Sequence, residues 1–313
     1  MLKRTRSFLV LVMLLMTVTM SAQVTTATMS GKVTAQDEPI IGATIVAIHE
    51  PSGTRYGTVT NVSGQFNLQG MRTGGPYKVE ISYVGYQTAI YKGINLLLGE
   101  NYVLNVSLKE SSELLDEVVV TASKESNMKS DRAGAIMNAN RDMISNTPTI
   151  SRSISDIMRL SPQGADVGNG FAVGGGNYRQ SFVTVDGAAF NNTFGLGGNL
   201  PANGSPISLD ALEQVTVAVT PFDVRQSGFT GGAINAVTRS GDNQFRGTVY
   251  GYFNNENLRG DKVEDYKLTR SKSQYYTYGA SFGGPIIKDK LFFFVNGEYE
   301  DNVTAGSSYQ PRT

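Results

Sequence analysis

Very few side chains in this sequence could carry out covalent chemistry. There is one histidine, His49, and no cysteine. Thiolate metal sites, cysteine nucleophiles and disulfide frameworks are therefore excluded. A multi-histidine zinc site is excluded too, and a Ser-His-Asp triad would have to be built on His49 alone. His49 follows an alternating strand pattern and precedes Pro51, the place of a loop-edge histidine rather than a ligand. Gly174-Gly175-Gly176 offers the closest approach to a phosphate cradle. It runs into Asn177, Tyr178 and Arg179 with no further glycine at the required spacing, and no Gly-Lys-Ser/Thr opens a helix. The pattern Gly-x-Ser-x-Gly occurs at Gly279-Ala280-Ser281-Phe282-Gly283, but within an alternating strand run rather than at a strand-to-helix turn, so it is not a nucleophile elbow. The expectation is a protein with no catalytic residues, metal or cofactor. Lys plus Arg number 27 against 27 Asp plus Glu, so no basic field exists to hold nucleic acid.

Two other kinds of residue remain as candidates. One is an extended run, Leu115-Asp116-Glu117-Val118-Val119-Val120-Thr121-Ala122, set between polar flanks. Its three valines favour an extended backbone, whose N–H and C=O row can pair with a partner's sheet edge. Taken alone, it reads more readily as the last strand of the preceding domain. The other kind is a pair of Gly- and Asn-rich loops, Asn177–Arg179 and Asn191–Asn199, flanking a valine-rich strand. Their glycines suit φ > 0 or close backbone packing.

The elements that must position these residues are mostly strands. The 35 glycines among 313 residues, with 15 Tyr and 14 Phe, point to turn-rich β structure. Lys3, Arg4 and Arg6 precede a 13-residue run, Phe8–Met20, broken only by Thr17 and Thr19, then small Ser21 and Ala22. That layout predicts a signal peptide cleaved after Ala22, since the run is too short for a spanning helix. Seven β-rich runs follow: Ser30–Thr34, Ile40–Ile48, Arg55–Thr60, Gln65–Leu68, Tyr77–Tyr83, Thr88–Tyr91 and Tyr102–Leu108. This spacing predicts an Ig-like β-sandwich. The middle of the chain predicts a short helix over Ser151–Leu160. After it come a strand ending in Asp186-Gly187, a helical turn at Leu209–Leu212, and a strand from Glu213 to Val217.

The last segment alternates with period two. Phe245, Val249 and Phe253 oppose Thr248, Tyr250 and Tyr252; Tyr276, Tyr278, Ala280 and Phe282 share a side. After a short connection, Gly283–Lys290, Leu291, Phe293, Val295 and Tyr299 oppose Asn296, Glu298 and Glu300. Aromatic-rich strands of about ten residues with dyad alternation fit an outer-membrane barrel. A soluble meander would expose an aggregation-prone face. Barrels close with at least eight strands, so three imply a piece of a longer barrel.

Several stretches carry family resemblances. Gly31–Thr34, Pro39–Thr44, Thr58–Phe66 and Val79–Tyr86 resemble the carboxypeptidase regulatory-like domain. The ordered set of helix, glycine-rich loop, Arg179, Ser181–Gly187, Leu209–Leu212, Glu213–Val217 and Gly228–Arg239 is similar to the plug of TonB-dependent receptors. In that company Asp116–Ala122 resembles a TonB box. Thr220–Phe229 looks like the Oar-like type in Bacteroidetes rather than SusC-type glycan importers.

The resemblance implies a mainly β chain in five parts. These are a signal peptide (1–22), a sandwich (23–110), a TonB box and linker (111–127), a small α+β plug (128–240) and the first strands of an antiparallel transmembrane β-barrel (241–313), incomplete here. It implies an outer-membrane receptor for a large, unidentified solute, embedded in outer-membrane lipid. The sandwich and box would lie on the periplasmic side. TonB, powered by ExbB and ExbD, would pair with Asp116, Glu117, Val118, Val119, Val120, Thr121 and Ala122. Asn177, Tyr178, Arg179, Asn191, Asn192 and Asn199 would contact the solute. The rival expectation is a non-transporting adhesin or carbohydrate-binding outer-membrane protein.

Overall fold

The computed structural model describes residues 25–110, 118–121, 135–149, 152–167, 170–191, 200, 207–219, 231–258, 260, 262–264, 266–267 and 272–304. The expected signal peptide, and Thr220–Phe229, lie outside these residues.

The first unit is a sandwich of two sheets. Its strands are β1 (Ala27–Ala35), β2 (Glu38–Pro39), β3 (Thr44–His49), β4 (Thr54–Val59), β5 (Gln65–Met71), β6 (Gly74–Ser82), β7 (Ala89–Leu96), β8 (Asn101–Val103), β9 (Val106–Ser107) and β10 (Val118–Thr121). One sheet centres on β1, which pairs antiparallel with β2 and β5 and parallel with β8 and β9. The other runs in the order β10-β7-β6-β3-β4. Alternation sends Ile45 and Ala47 of β3, Tyr77, Val79 and Ile81 of β6, and Phe66 and Leu68 of β5 into one core with Met29 and Val33.

Two of the expected strands are broken, each for a local reason. Ile40–Ala43 is a turn, with Gly42 at φ +78°. The Thr60 hydroxyl clamps it, donating to the Ile40 carbonyl at 2.6 Å and accepting from the Ala43 N–H at 2.9 Å. The Tyr102–Leu108 run splits into β8 and β9 because Leu104 folds over β1. A Cβ on Gly31 would stand 1.8 Å from the Leu104 carbonyl oxygen, so only glycine lets the two backbones meet.

His49 is a correction to the loop-edge expectation. It ends β3, but its ring turns inward and is buried. Nδ1 lies 2.7 Å from the Ser52 hydroxyl, and the ring packs on Tyr77 with centroids 5.0 Å apart. Burial, helped by nearby Arg72, lowers its pKa to about 4. The imidazole is therefore neutral when folded and must gain a proton on unfolding at acidic pH. The sandwich is expected to lose stability as pH falls from about 6.5 towards 4, by about 3 kcal/mol at most. Urea unfolding across that window would show it. A His49→Gln variant with the same pH slope would refute this source.

The middle unit is a mixed sheet with short helices. Its elements are β11 (Ala135–Asn140), α1 (Arg141–Asn146), α2 (Ile154–Met158), β12 (Gly164–Asp166), β13 (Phe171–Val173), β14 (Phe182–Val185), β15 (Ala188–Ala189), β16 (Leu212–Val219) and β17 (Gly232–Thr238). The sheet order is β11-β16-β17-β14-β15, with β14 parallel to β17 and the other pairs antiparallel. Asp186 (φ +48°) and Gly187 (φ +82°) make the tight turn that their sequence predicts. The Asp186 carboxylate then accepts from the Thr238 N–H at 2.9 Å and its hydroxyl at 2.6 Å, tying the turn to the end of β17. Helix α2 is shorter than expected. It starts after Ser153, whose N–H reaches the Asp156 carboxylate at 3.5 Å, and buries Ile154, Ile157 and Met158.

The last unit is an antiparallel sheet of β18 (Arg246–Asn255), β21 (Ser273–Ile287) and β22 (Leu291–Thr304); a small hairpin, β19 (Lys262–Val263) and β20 (Tyr266–Lys267), lies within the β18–β21 loop. The β21–β22 connection is only Lys288-Asp289-Lys290, tighter than the expected Gly283–Lys290. β21 runs on through Ile287, which pairs with Leu291, and Asp289 supplies the positive φ of +61°.

Candidate functional site

The last sheet has two unlike faces. Val249 is 88% exposed, and Phe253, Tyr278, Phe282, Val295 and Tyr299 are exposed beside it. The opposite face is polar and meets the middle unit. Thr248 and Ser281 hydroxyls touch at 2.6 Å, and the Tyr250 hydroxyl donates to Glu298 and meets Ser208 at 2.7 Å. Arg152 completes the contact. Its guanidinium lies 4.4 Å from the Tyr252 ring centroid and 5.1 Å from that of Tyr250, and it pairs with Asp210. Arg152 takes φ +50°, a costly conformation for a non-glycine residue, in making this contact.

Register sets the ends of the middle sheet apart. Asn177, Tyr178 and Arg179 form a turn leading into β14. The Asn177 side chain accepts from the Arg179 N–H at 3.0 Å, and Arg179 Nε donates to the Tyr178 hydroxyl at 3.0 Å. Asn177 and Arg179 are exposed. Asn191 sits at the same end, but its amide is committed to β14. Oδ1 accepts from the Val183 N–H at 2.6 Å, and Nδ2 donates to the Ser181 carbonyl at 2.7 Å. The geometry thus brings Asn177–Arg179 and Asn191 together; Asn192 and Asn199 lie outside the described residues.

The opposite end of that sheet meets the sandwich. The Leu98 N–H donates to Gln214 Oε1 at 3.2 Å, and Arg72 reaches the Gly241 carbonyl at 3.4 Å. The Pro51 carbonyl accepts from the Asn243 N–H at 2.9 Å, and Asn243 in turn bonds Asp289 of the β21–β22 turn at 2.8 Å. Between the units lies a cleft of about 820 Å³, lined among others by Arg72, Arg141, Glu213, Arg239 and Asp242. Burial raises the Glu213 pKa, against the pull of Arg141, Arg239 and Arg72. Sequence reasoning found neither Arg72 nor Arg141, named Arg239 only as the end of a motif, and missed β11 and α1. The one local signal was Asn140, whose side chain caps α1 by accepting from the Met143 N–H at 3.0 Å.

Of the expected box, Val118–Thr121 forms β10, parallel to β7 with Val119 opposite Ile90. Asp116, Glu117 and Ala122 lie outside the described residues. Among the described residues, no group of three or more His, Cys, Asp or Glu gathers to hold a metal ion.

Residues 28–109 match the carboxypeptidase regulatory-like domain, and residues 237–312 match an outer membrane beta barrel domain. The TonB-dependent transporter Oar of Myxococcus xanthus is 32% identical over 152 residues, which are 46% of this chain and 14% of that protein. The TonB-dependent receptor SusC of Bacteroides thetaiotaomicron is 29% identical over 281 residues, 85% of this chain and 26% of that protein. The chain is a homologue of TonB-dependent transporters. It is an outer-membrane protein, mainly β, with an Ig-like domain ahead of barrel strands. This transporter homologue spans 14% and 26% of the lengths of those two relatives. It resembles both, with SusC aligned over the larger share of the chain. The siderophore receptor PirA of Acinetobacter baumannii overlays 53% of the homologue and 24% of its own chain, at 20% identity and a TM-score of 0.42, too slight a likeness to support an assignment.

Proposed function

We propose that these residues are the energy-coupling and plug region of a TonB-dependent receptor that imports a large solute and catalyses no reaction. In this reading Met1–Ala22 is removed on export. Residues 23–110 are a periplasmic sandwich, 111–127 the TonB box and linker, 128–240 the plug and 241–313 barrel wall. TonB, driven by ExbB and ExbD, pulls on the box, and solute meets the plug at the Asn177–Arg179 end.

The observation that carries the reading is the two-faced last sheet. Its apolar face points outward, while its polar face grips the middle unit through Arg152, Tyr250, Tyr252 and Ser208. A plug inside a barrel needs this arrangement; an adhesin does not. The end-to-end layout agrees with it. The short β21–β22 turn lies beside the sandwich, as periplasmic turns would, and the longer β18–β21 loop lies at the far end.

A purified TonB periplasmic domain tests the coupling. The whole receptor in detergent should capture it, and deletion of residues 116–122 should remove the capture. Capture that survives the deletion would end the assignment of the box.

A further inference from the structure

The coupling strand is a built part of the sandwich. β10 is the terminal strand of the order β10-β7-β6-β3-β4, registered on β7 from Val118↔Ala89 to Thr121↔Lys92. Parallel strands need a crossover. Here the chain supplies it by leaving β7, pairing β8 and β9 with β1 in the other sheet, and coming back. The return point is fixed. Glu110 bridges Tyr86, the Gln87 N–H donates to the Lys109 carbonyl at 2.9 Å, and Gln36 holds the Glu110 carboxylate at 3.1 Å. The chain is thus anchored just ahead of β7, with seven residues between Glu110 and Val118. So short a tether keeps the local concentration of the strand high, in the millimolar range or above. The platform is itself anchored, since Leu98 beyond β7 bonds Gln214 of the middle sheet.

Alternate residues of a strand in a sheet direct their N–H and C=O groups to opposite edges. β10 therefore spends one set on β7. Among the described residues nothing pairs with its other edge. We infer that the regulatory-like sandwich is a presenting platform: it holds Val118–Thr121 extended on the β7 edge, so that the TonB strand adds to the open edge and continues the sandwich sheet. This rests on the coupling role proposed above for these residues. Presentation lowers the ordering cost of strand addition, because one of the two strands is already fixed. It gives the sandwich a task beyond that of a spacer.

Residues 1–313 hold no cysteine, so an introduced pair is the only one within them. In the whole receptor, Thr121→Cys with Lys92→Cys places two cysteines at directly registered positions. Val118→Cys with Lys92→Cys separates them by three residues along the strands, about 10 Å, too far for a disulfide. The first pair should oxidise readily and the second poorly. Equal oxidation of both would overturn the docked strand. The purified TonB periplasmic domain is then titrated against the first variant, oxidised and reduced. Presentation predicts that the locked form binds within about twofold of the reduced form, or tighter. A loss of about tenfold or more on locking would overturn presentation, because TonB would then need the strand released. Binding by neither form, with the reduced variant matching wild type, would overturn the coupling reading beneath this inference. The disulfide pattern distinguishes that failure from a failure of docking.

Discussion

Proline at Val118, Val119 or Val120 is expected to abolish energised uptake by the whole receptor while solute binding at the outer surface survives. Proline removes the N–H donor, fixes φ and restricts the residue before it. In β10 neighbouring N–H groups face opposite edges, so the three variants should divide. Val118→Pro and Val120→Pro should damage one edge, and Val119→Pro the other. The set facing β7 should loosen docking; the set facing outward should weaken TonB capture by about tenfold or more. Val119→Thr keeps the backbone donor and should be mild. If β10 served only as a sandwich strand, proline would lower protein abundance, and uptake would fall in proportion. Uptake, surface binding and abundance measured together separate these cases. Normal uptake at normal abundance in all three variants would end the assignment.

The second large effect concerns the outward face of the last sheet. Val249→Arg is expected to cost about 2–4 kcal/mol if its depth is near the bilayer midplane, because a guanidinium there must be drawn into hydrocarbon. Val249 is 88% exposed, so little packing is lost when it is replaced. A soluble sheet would accept this arginine at little cost and gain solubility. The expected result is therefore a fall in folded receptor recovered from outer membranes, read by its resistance to heat-induced unfolding on gels. Val295→Arg, on the same face of β22, should act in the same direction. Wild-type amounts of folded receptor in both variants would argue against lipid contact at this face.

Much of the molecule was legible because its signals are local. Dyad alternation puts neighbours on opposite sides of a strand, so the separation of Val249 from Tyr250 could be read from spacing alone, while which side meets the middle unit could not. Asp186-Gly187 announces its turn because few other residues accept positive φ at both positions. The short helix around Ile154 follows from its apolar spacing. Local signals do not report which distant segments meet. Arg72 and Gly241 are 169 residues apart, and no periodicity joins them. The inward turn of His49 depends on Tyr77 arriving beside it from another strand. Strand β11 has weak strand chemistry of its own and forms because β16 offers it a full ladder from Ala135↔Val219 to Asn140↔Gln214. The run Val118–Val120 was ambiguous in sequence for the same reason. Its valines dictate an extended backbone but not a neighbour. Only the tertiary structure, by returning the chain to Tyr86 through a second sheet, sets that strand on β7, with its other edge unpaired among the described residues.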